Sequence, residues 1–307
     1  HDQFRANFKI ENGKGVVQTI SEVMNADYYD VCDLKNLSDD LQFDNYKAIA
    51  SEKQRSLNLE NGPLVRVVHF KMSDGDRILI IIHHLLIDGV SWGILIDDLE
   101  TLYLQMINNQ RLSLPHKTDS FSKWTEKLEQ YSLSERYLNS VTYWKDVLNN
   151  DLSTIPKDVP DNTCFNIHTS SVEKSIGKLN TELLFKNGSG QFKITQKDLL
   201  VAAFGLAVNE CYGFEKTGIY FEGHGREMEI IDSDISRTIG WFNSVYPFII
   251  NNSQHANLSD HLKTIAGDLG NVPDNGLGYS IYQYYDNKRF KQNNRSFISN
   301  VLFNYKG

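Results

Sequence analysis

The sharpest pattern of apolar and polar positions lies between residues 64 and 106. Leu64 to Met72 (LVRVVHFKM) reads as a strand, Ser73-Asp74-Gly75-Asp76 as a tight turn, and Arg77 to His83 (RILIIIH) as the returning strand of a hairpin. After Asp88-Gly89 the period changes. Trp92, Leu95, Ile96, Leu99, Leu102, Tyr103 and Met106 recur at helical spacing, which predicts an amphipathic helix with Ser91 as its N-cap. Residues 118 to 149 carry one or two further amphipathic helices, marked by Phe121, Trp124, Leu128 and Tyr131, then by Tyr137, Val141, Trp144 and Leu148. The first 60 residues mix short strand-like and helix-like pieces. Asn149 to Asn166 is polar, holds Pro156 and Pro160, and is the best linker candidate. Thr195 to Tyr212 then reads as a helix, with Thr195 as cap and Asp198 at the third helical position. Thr217 to Phe221 is a strand running into Glu222, Trp241 to Ile250 is strand-like, Leu258 to Leu269 helical, and Phe297 to Tyr305 strand-like. The pattern is α/β, without repeats, in two halves: residues 1–155 and 156–307.

Composition narrows the classes. A chain of 307 residues suggests two domains or lobes at ~150 residues each. It is 40% apolar and 23% charged, ordinary for a globular protein. Its net charge of −8 argues against nucleic acid as a partner. The longest aliphatic run, Ile78 to Ile82, is far below the ~20 residues of a membrane span, and no basic-then-apolar signal opens the chain, so no membrane partner is expected. Three scattered cysteines, Cys32, Cys164 and Cys211, fit a reducing cytoplasm and exclude a disulfide scaffold or a cysteine-rich zinc site.

Two segments carry candidate chemistry. In the first, His83 and His84 end an aliphatic strand, and Asp88-Gly89 precedes a helix. Alternation along a strand sends the two histidines to opposite faces, one to the core and one to a cleft, where an imidazole trades protons near neutrality. The bare pair equally fits two core histidines. As metal ligands, His84 and Asp88 lack a third partner at metal spacing, so no metal is expected. Asp88 in this apolar setting needs a cation, with Arg5 and Arg66 as candidates. In the second segment, Glu222-Gly223-His224-Gly225-Arg226-Glu227 follows a strand directly. Its glycines allow positive φ or close approach. Desolvation at the end of an apolar strand raises a glutamate toward general-base duty. The same residues also suit a polar turn with an Arg226–Glu227 pair.

In this order and spacing, the segments resemble the epimerization domains of nonribosomal peptide synthetases, within the condensation-domain superfamily. The resemblance runs from His1-Asp2-Gln3-Phe4-Arg5 through HHLLIDGVSW (83–92), EGHGRE (222–227), RTIGWFNSVYP (237–247) and PDNGLGY (273–279) to FNY (303–305). HHxxxDG is shared with condensation domains and with acetyltransferases resembling chloramphenicol acetyltransferase. EGHGRE with the GWF segment is the more specific part. Gly93, Asn243 and Lys306 depart from the family's usual Arg, Thr and Leu.

The resemblance implies two chloramphenicol-acetyltransferase-like lobes in a V with an active-site tunnel between them. It implies L-to-D inversion at the α-carbon of an aminoacyl or peptidyl thioester. The thioester is carried on the 4′-phosphopantetheine arm of an upstream carrier domain, with a downstream condensation domain as the next partner and no cofactor bound by the domain itself. Carried over by position, His84 and Glu222 are the catalytic pair, facing each other across the substrate, with Asn304 and Tyr305 beside them. His83, Asp88, Gly89 and Arg5 are structural at the site, Asp88 pairing with Arg5. Ser91, Trp92, His224, Arg226, Trp241, Asn243 and Tyr279 are candidates to line the tunnel. Two other readings share parts of the pattern: a condensation domain joining two carrier-bound substrates, and a non-catalytic carrier-binding module of the same fold. EGHGRE and FNY count against the first, and the intact histidine and glutamate against the second. Family members extend by about 40 residues before this chain and on the order of 100 after it. The resemblance therefore presents the chain as the motif-bearing middle of a domain, expected to expose apolar core surface when isolated.

Overall fold

The computed structural model describes residues 1–11, 15–22, 28–157, 169–191, 194–252, 257–285 and 297–306. Cys164, Pro160 and the second half of the linker candidate lie outside the described residues. The chain forms two compact units, His1–Glu129 with Ile231–Phe242, and Gln130–Ile230 with Asn243–Gly307.

In the first unit, β1 (Ala6–Glu11) and β2 (Gly15–Ile20) form an antiparallel pair. A second sheet has the order β3 (Tyr29–Asp33), β4 (Val65–Lys71), β5 (Arg77–Ile82). The expected hairpin is present: β4 and β5 are antiparallel with Val65 opposite Ile82, and Gly75 takes φ +130° in the turn. Helix α1 (Asp39–Arg55) brings Tyr46 and Ile49 onto buried Val68, Phe70 and Met72. Helices α2 (Gly89–Ile107) and α3 (Phe121–Tyr131) follow.

Helix α2 departs from its apolar stripe. Its buried positions are Ser91, Ile94, Leu95 and Asp98, while Leu99, Tyr103 and Met106 are exposed. The polar pair is buried because the segment Ile231–Phe242 supplies its partners. Ser91 Oγ donates to the Gly240 carbonyl (3.0 Å) and accepts the Gly240 N–H (3.1 Å), and Arg237 pairs with Asp98. Ser91 is also not the cap. Asp88 is, accepting the Ser91 N–H at 2.7 Å.

In the second unit, α4 (Glu135–Leu148), α5 (Lys178–Gln191) and α6 (Gln196–Tyr212) precede a sheet. Its strands are β6 (Lys216–Gly223), β7 (Ser244–Asn251) and β8 (Leu302–Asn304), in the order β7-β6-β8. Pro247 is accommodated because β7 is an edge strand. Helices α7 (Met228–Ile231), α8 (Leu258–Gly270) and α9 (Leu277–Ser280) complete the set. The expected capping box at α6 is present, Thr195 and Asp198 exchanging backbone bonds. Trp144 of α4 is fully buried, with ring centroids 5.3 Å from Tyr279 and 6.3 Å from Tyr246. These contacts place α4 in the second unit, so the compact units part at Glu129/Gln130 rather than near residue 155.

Two expected strands are shorter than their apolar pattern. Residues 241–243 do not join β7; the Gly240 and Phe242 N–H groups go instead to the side chains of Ser91 and Asp88. At the other end, Ser299 Oγ donates to the Gly218 carbonyl and accepts the Val301 N–H, so regular pairing starts only at Leu302.

Candidate active site

The first group of site residues is built where β5 stops. The strand ends at Ile82, and His84–Leu86 form a single 3-10 turn. The orientations of the two histidines are therefore set by a turn, not by strand alternation. His83 caps the turn, its Nδ1 accepting the Leu85 N–H at 3.2 Å. It is half-buried, and burial, reinforced by the neighbouring His84, holds its pKa below the ordinary histidine value. His84 is exposed and meets Trp241 edge-to-face, with ring centroids 5.9 Å apart. The next two residues after the turn anchor it: Ile87 and Asp88 are 2% and 1% exposed.

Asp88 accepts the Ser91 N–H and, through its other oxygen, the Phe242 N–H at 3.2 Å. Backbone donors thus serve the buried carboxylate. Arg5 donates to Asp2 at 2.7 Å and to the carbonyls of Ser21 and Glu22, and Arg66 Nε donates to Ser56 Oγ. Gly89 opens α2 in open space with ordinary φ, so local geometry places no demand for glycine there. Trp92 is half-buried beside Ile87, Ile94, Leu95 and Ile239.

The second group gathers on β6. Glu222 lies opposite Val245 of β7 on one side and Asn304 of β8 on the other. It is half-buried, and each carboxylate oxygen has its own amide donor. Asn243 Nδ2 reaches Oε1 at 2.5 Å, and Asn304 Nδ2 reaches Oε2 at 2.8 Å. Tyr305 is adjacent in sequence, but its hydroxyl donates to Gln196 Oε1 at 2.7 Å.

The EGHGRE turn closes on itself. His224 Nδ1 accepts the Arg226 N–H (2.9 Å), and its Nε2 is 3.7 Å from Glu227 Oε1. Glu227 Oε2 accepts from Asn275 Nδ2 at 3.0 Å. Its two glycines serve different ends: Gly225 takes φ +65°, while a Cβ on Gly223 would lie 3.0 Å from Ser244 Oγ. Arg226 is 8% exposed. Tyr279 is 5% exposed against Trp144, and burial pushes its phenol well above the ordinary tyrosine value. Sequence reasoning missed Gln196 and Asn275 as partners, and named Glu227 only as a partner of Arg226, not of His224 and Asn275. Gln196 and Asn275 act through tertiary contacts, and only Asn275 of the two falls within a motif.

The first unit supplies an exposed imidazole on a turn, and the second a carboxylate held by two neutral donors. Both belong to proton-transfer chemistry. Among the described residues, no helix is long and apolar enough to cross a membrane, and no three His, Cys, Asp or Glu side chains gather as a metal site.

The chain resembles known synthetases along its whole length. It is 36% identical over 316 positions to tyrocidine synthase 1 of Brevibacillus parabrevis, and 34% over 308 to surfactin synthase subunit 2 of Bacillus subtilis (strain 168). All of this chain is covered in both cases, but only 28% and 8% of those proteins, so it spans under a third of either. Among solved structures, the epimerization domain from the third module of tyrocidine synthetase B superposes with a TM-score of 0.90 at 31% identity. That match covers 100% of this chain and 71% of that one. The condensation enzyme VibH gives 0.73 at 19% identity, covering 98% and 67%, a likeness of fold. The family profile described as "Condensation domain" matches residues 1–307, and this chain belongs to the condensation-domain family.

Proposed function

We propose that this chain is an epimerization domain that inverts the α-carbon of an aminoacyl or peptidyl thioester. The observation that carries the reading is Glu222, a half-buried carboxylate held on both oxygens by the amides of Asn243 and Asn304. Whole-length likeness to a domain described as an epimerization domain supports it. The substrate is proposed to arrive on the 4′-phosphopantetheine arm of an upstream carrier domain, and the product to pass to a downstream condensation domain.

Inversion requires that the Cα–H bond break, its electron pair enter an enolate, and a proton return to the opposite face. That takes two proton-transfer groups, and Glu222 and His84 are proposed as these groups. Their roles exchange between the L-to-D and D-to-L directions, by microscopic reversibility. The chain's fixed dipoles stabilise the enolate oxygen only where they are already aimed at it.

The test loads a carrier domain with an L-aminoacyl thioester, incubates it with this chain in deuterated buffer, hydrolyses the product and separates the enantiomers on a chiral column. A mixture of L and D product, each carrying one deuterium at Cα, is expected. Recovery of unlabelled L alone overturns the reading. The condensation-domain family profile favours one other outcome, joining of two carrier-bound substrates, which mass spectrometry of the carrier before hydrolysis detects as a dipeptidyl thioester.

A further inference from the structure

Asn243 stands one residue before β7. Within that antiparallel ladder Glu222 is opposite Val245 and Gly223 opposite Ser244. Asn243, just outside the ladder and two positions from Val245, is the diagonal neighbour of Glu222. A diagonal separation of ~7–8 Å is bridged by one amide and one carboxylate side chain reaching toward each other. Asn304, from the parallel strand on the other side, is the direct neighbour. Each amide takes one oxygen, Asn243 at 2.5 Å and Asn304 at 2.8 Å.

We propose that Asn243 is a positioning residue for Glu222: its amide and that of Asn304 hold the carboxylate from both flanking strands, fixing it in one rotamer before substrate arrives. A free glutamate side chain spreads over many rotamers, and a base must be held in reach of the proton it removes. A carboxylate has about four lone-pair sites, so two amide bonds leave acceptor capacity for an incoming proton. Only a donor suits the position, because a second carboxylate there would repel Glu222.

This inference rests on the functional reading above, and the experiment separates the two. The 307-residue chain is compared with Asn243→Ala, Asn243→Asp and Asn243→Gln. The first readout needs no activity: 13C relaxation gives the order parameter of the Glu222 side chain, whose signals are identified by their absence in Glu222→Gln. Order falls in Asn243→Ala and Asn243→Asp, which release one carboxylate oxygen, while Asn243→Gln, which keeps an amide, stays near the parent. The second readout is α-proton exchange. Here kcat falls about 10²-fold in Asn243→Ala with KM within twofold, the pattern of a displaced base. Unchanged side-chain order in Asn243→Ala overturns the proposal; so does a loss of kcat with the order unmoved, which makes Asn243 a substrate contact instead. If the parent chain exchanges no α-proton, the functional reading fails while the side-chain order still decides the clamp.

Discussion

His83 accepts the Leu85 N–H through Nδ1, so a proton arriving on that nitrogen removes the acceptor. It also places charge on a half-buried ring beside His84, and both effects oppose protonation. The folded pKa therefore lies below the reference value of 6.5. As pH falls below 6.5, the unfolded chain takes the proton first, and stability is lost until the folded pKa is passed. Above 6.5 both states are neutral and His83 contributes no slope. His83→Asn keeps an acceptor that cannot titrate. Urea unfolding at steps from pH 8 to 5 is expected to show a smaller loss in that variant; parallel curves contradict the assignment. Glu222 makes the corresponding prediction for chemistry. Glu222→Gln keeps the shape but turns one oxygen into a donor facing an amide donor, so one clamp bond is lost. Deuterium exchange at Cα is expected to fall by about 10²- to 10⁴-fold, the usual worth of a general acid–base group. Normal wash-in removes Glu222 from the role of base.

Among the elements, the PDNGLGY segment shows where backbone geometry is set by a neighbour. Gly276 takes φ +84°, and a Cβ there would stand 1.9 Å from Cδ1 of Tyr246. Tyr246 is 4% exposed and stacks on Phe221 with centroids 5.6 Å apart, so the ring has nowhere to retreat. Gly276→Ala is expected to cost about 3 kcal/mol or more. Gly267, inside α8 with nothing within 4 Å of where a Cβ would stand, is the control, and its alanine variant should gain about 0.5–1 kcal/mol. Urea midpoints measure both, and equal midpoints would refute the steric account. The elements also mark the reach of sequence. The β4–β5 hairpin and the α6 capping box were legible because each is specified within a few neighbouring residues. The α2 stripe misled, since Ser91 and Asp98 are buried by partners at Gly240 and Arg237, far along the chain. The candidate residues of the clamp were readable by name. The family resemblance put Asn304 beside Glu222, but the local pattern could not, because β8 pairs with β6 in parallel from some eighty residues away, and it gave no sign that Asn243 takes the other oxygen.

At the scale of the whole chain, continuity in sequence and continuity in packing differ. The first unit takes its last segment, Ile231–Phe242, from the far half of the sequence. Within that unit Ile239 packs with Ile87, Ile94 and Leu95, and Phe242 lies edge-on to Phe121 and Trp124. Arg237 pairs with Asp98, a carboxylate only 5% exposed, and the Gly240 backbone holds Ser91. A fragment of residues 1–129 loses all of these together. Its core opens around Ile94 and Leu95, and Asp98 and Asp88 each lose a partner supplied by the segment. Asp98 keeps His1 at 2.9 Å and Asp88 keeps the Ser91 N–H, so the loss of Arg237 costs less than the ~3–5 kcal/mol of a fully orphaned buried charge, but added to the opened core it is a large share of the stability of a small unit. Residues 1–129 alone should therefore bind ANS strongly and melt without a cooperative transition. The same fragment joined to residues 231–242 by a flexible Gly/Ser linker should bind less dye and melt more sharply. In the full chain, Ile239→Ala tests the contact singly, with an expected loss of about 2–5 kcal/mol. Identical dye binding and melting with and without residues 231–242, together with a neutral Ile239→Ala, would mean that the segment is a passenger on the first unit and not part of its core.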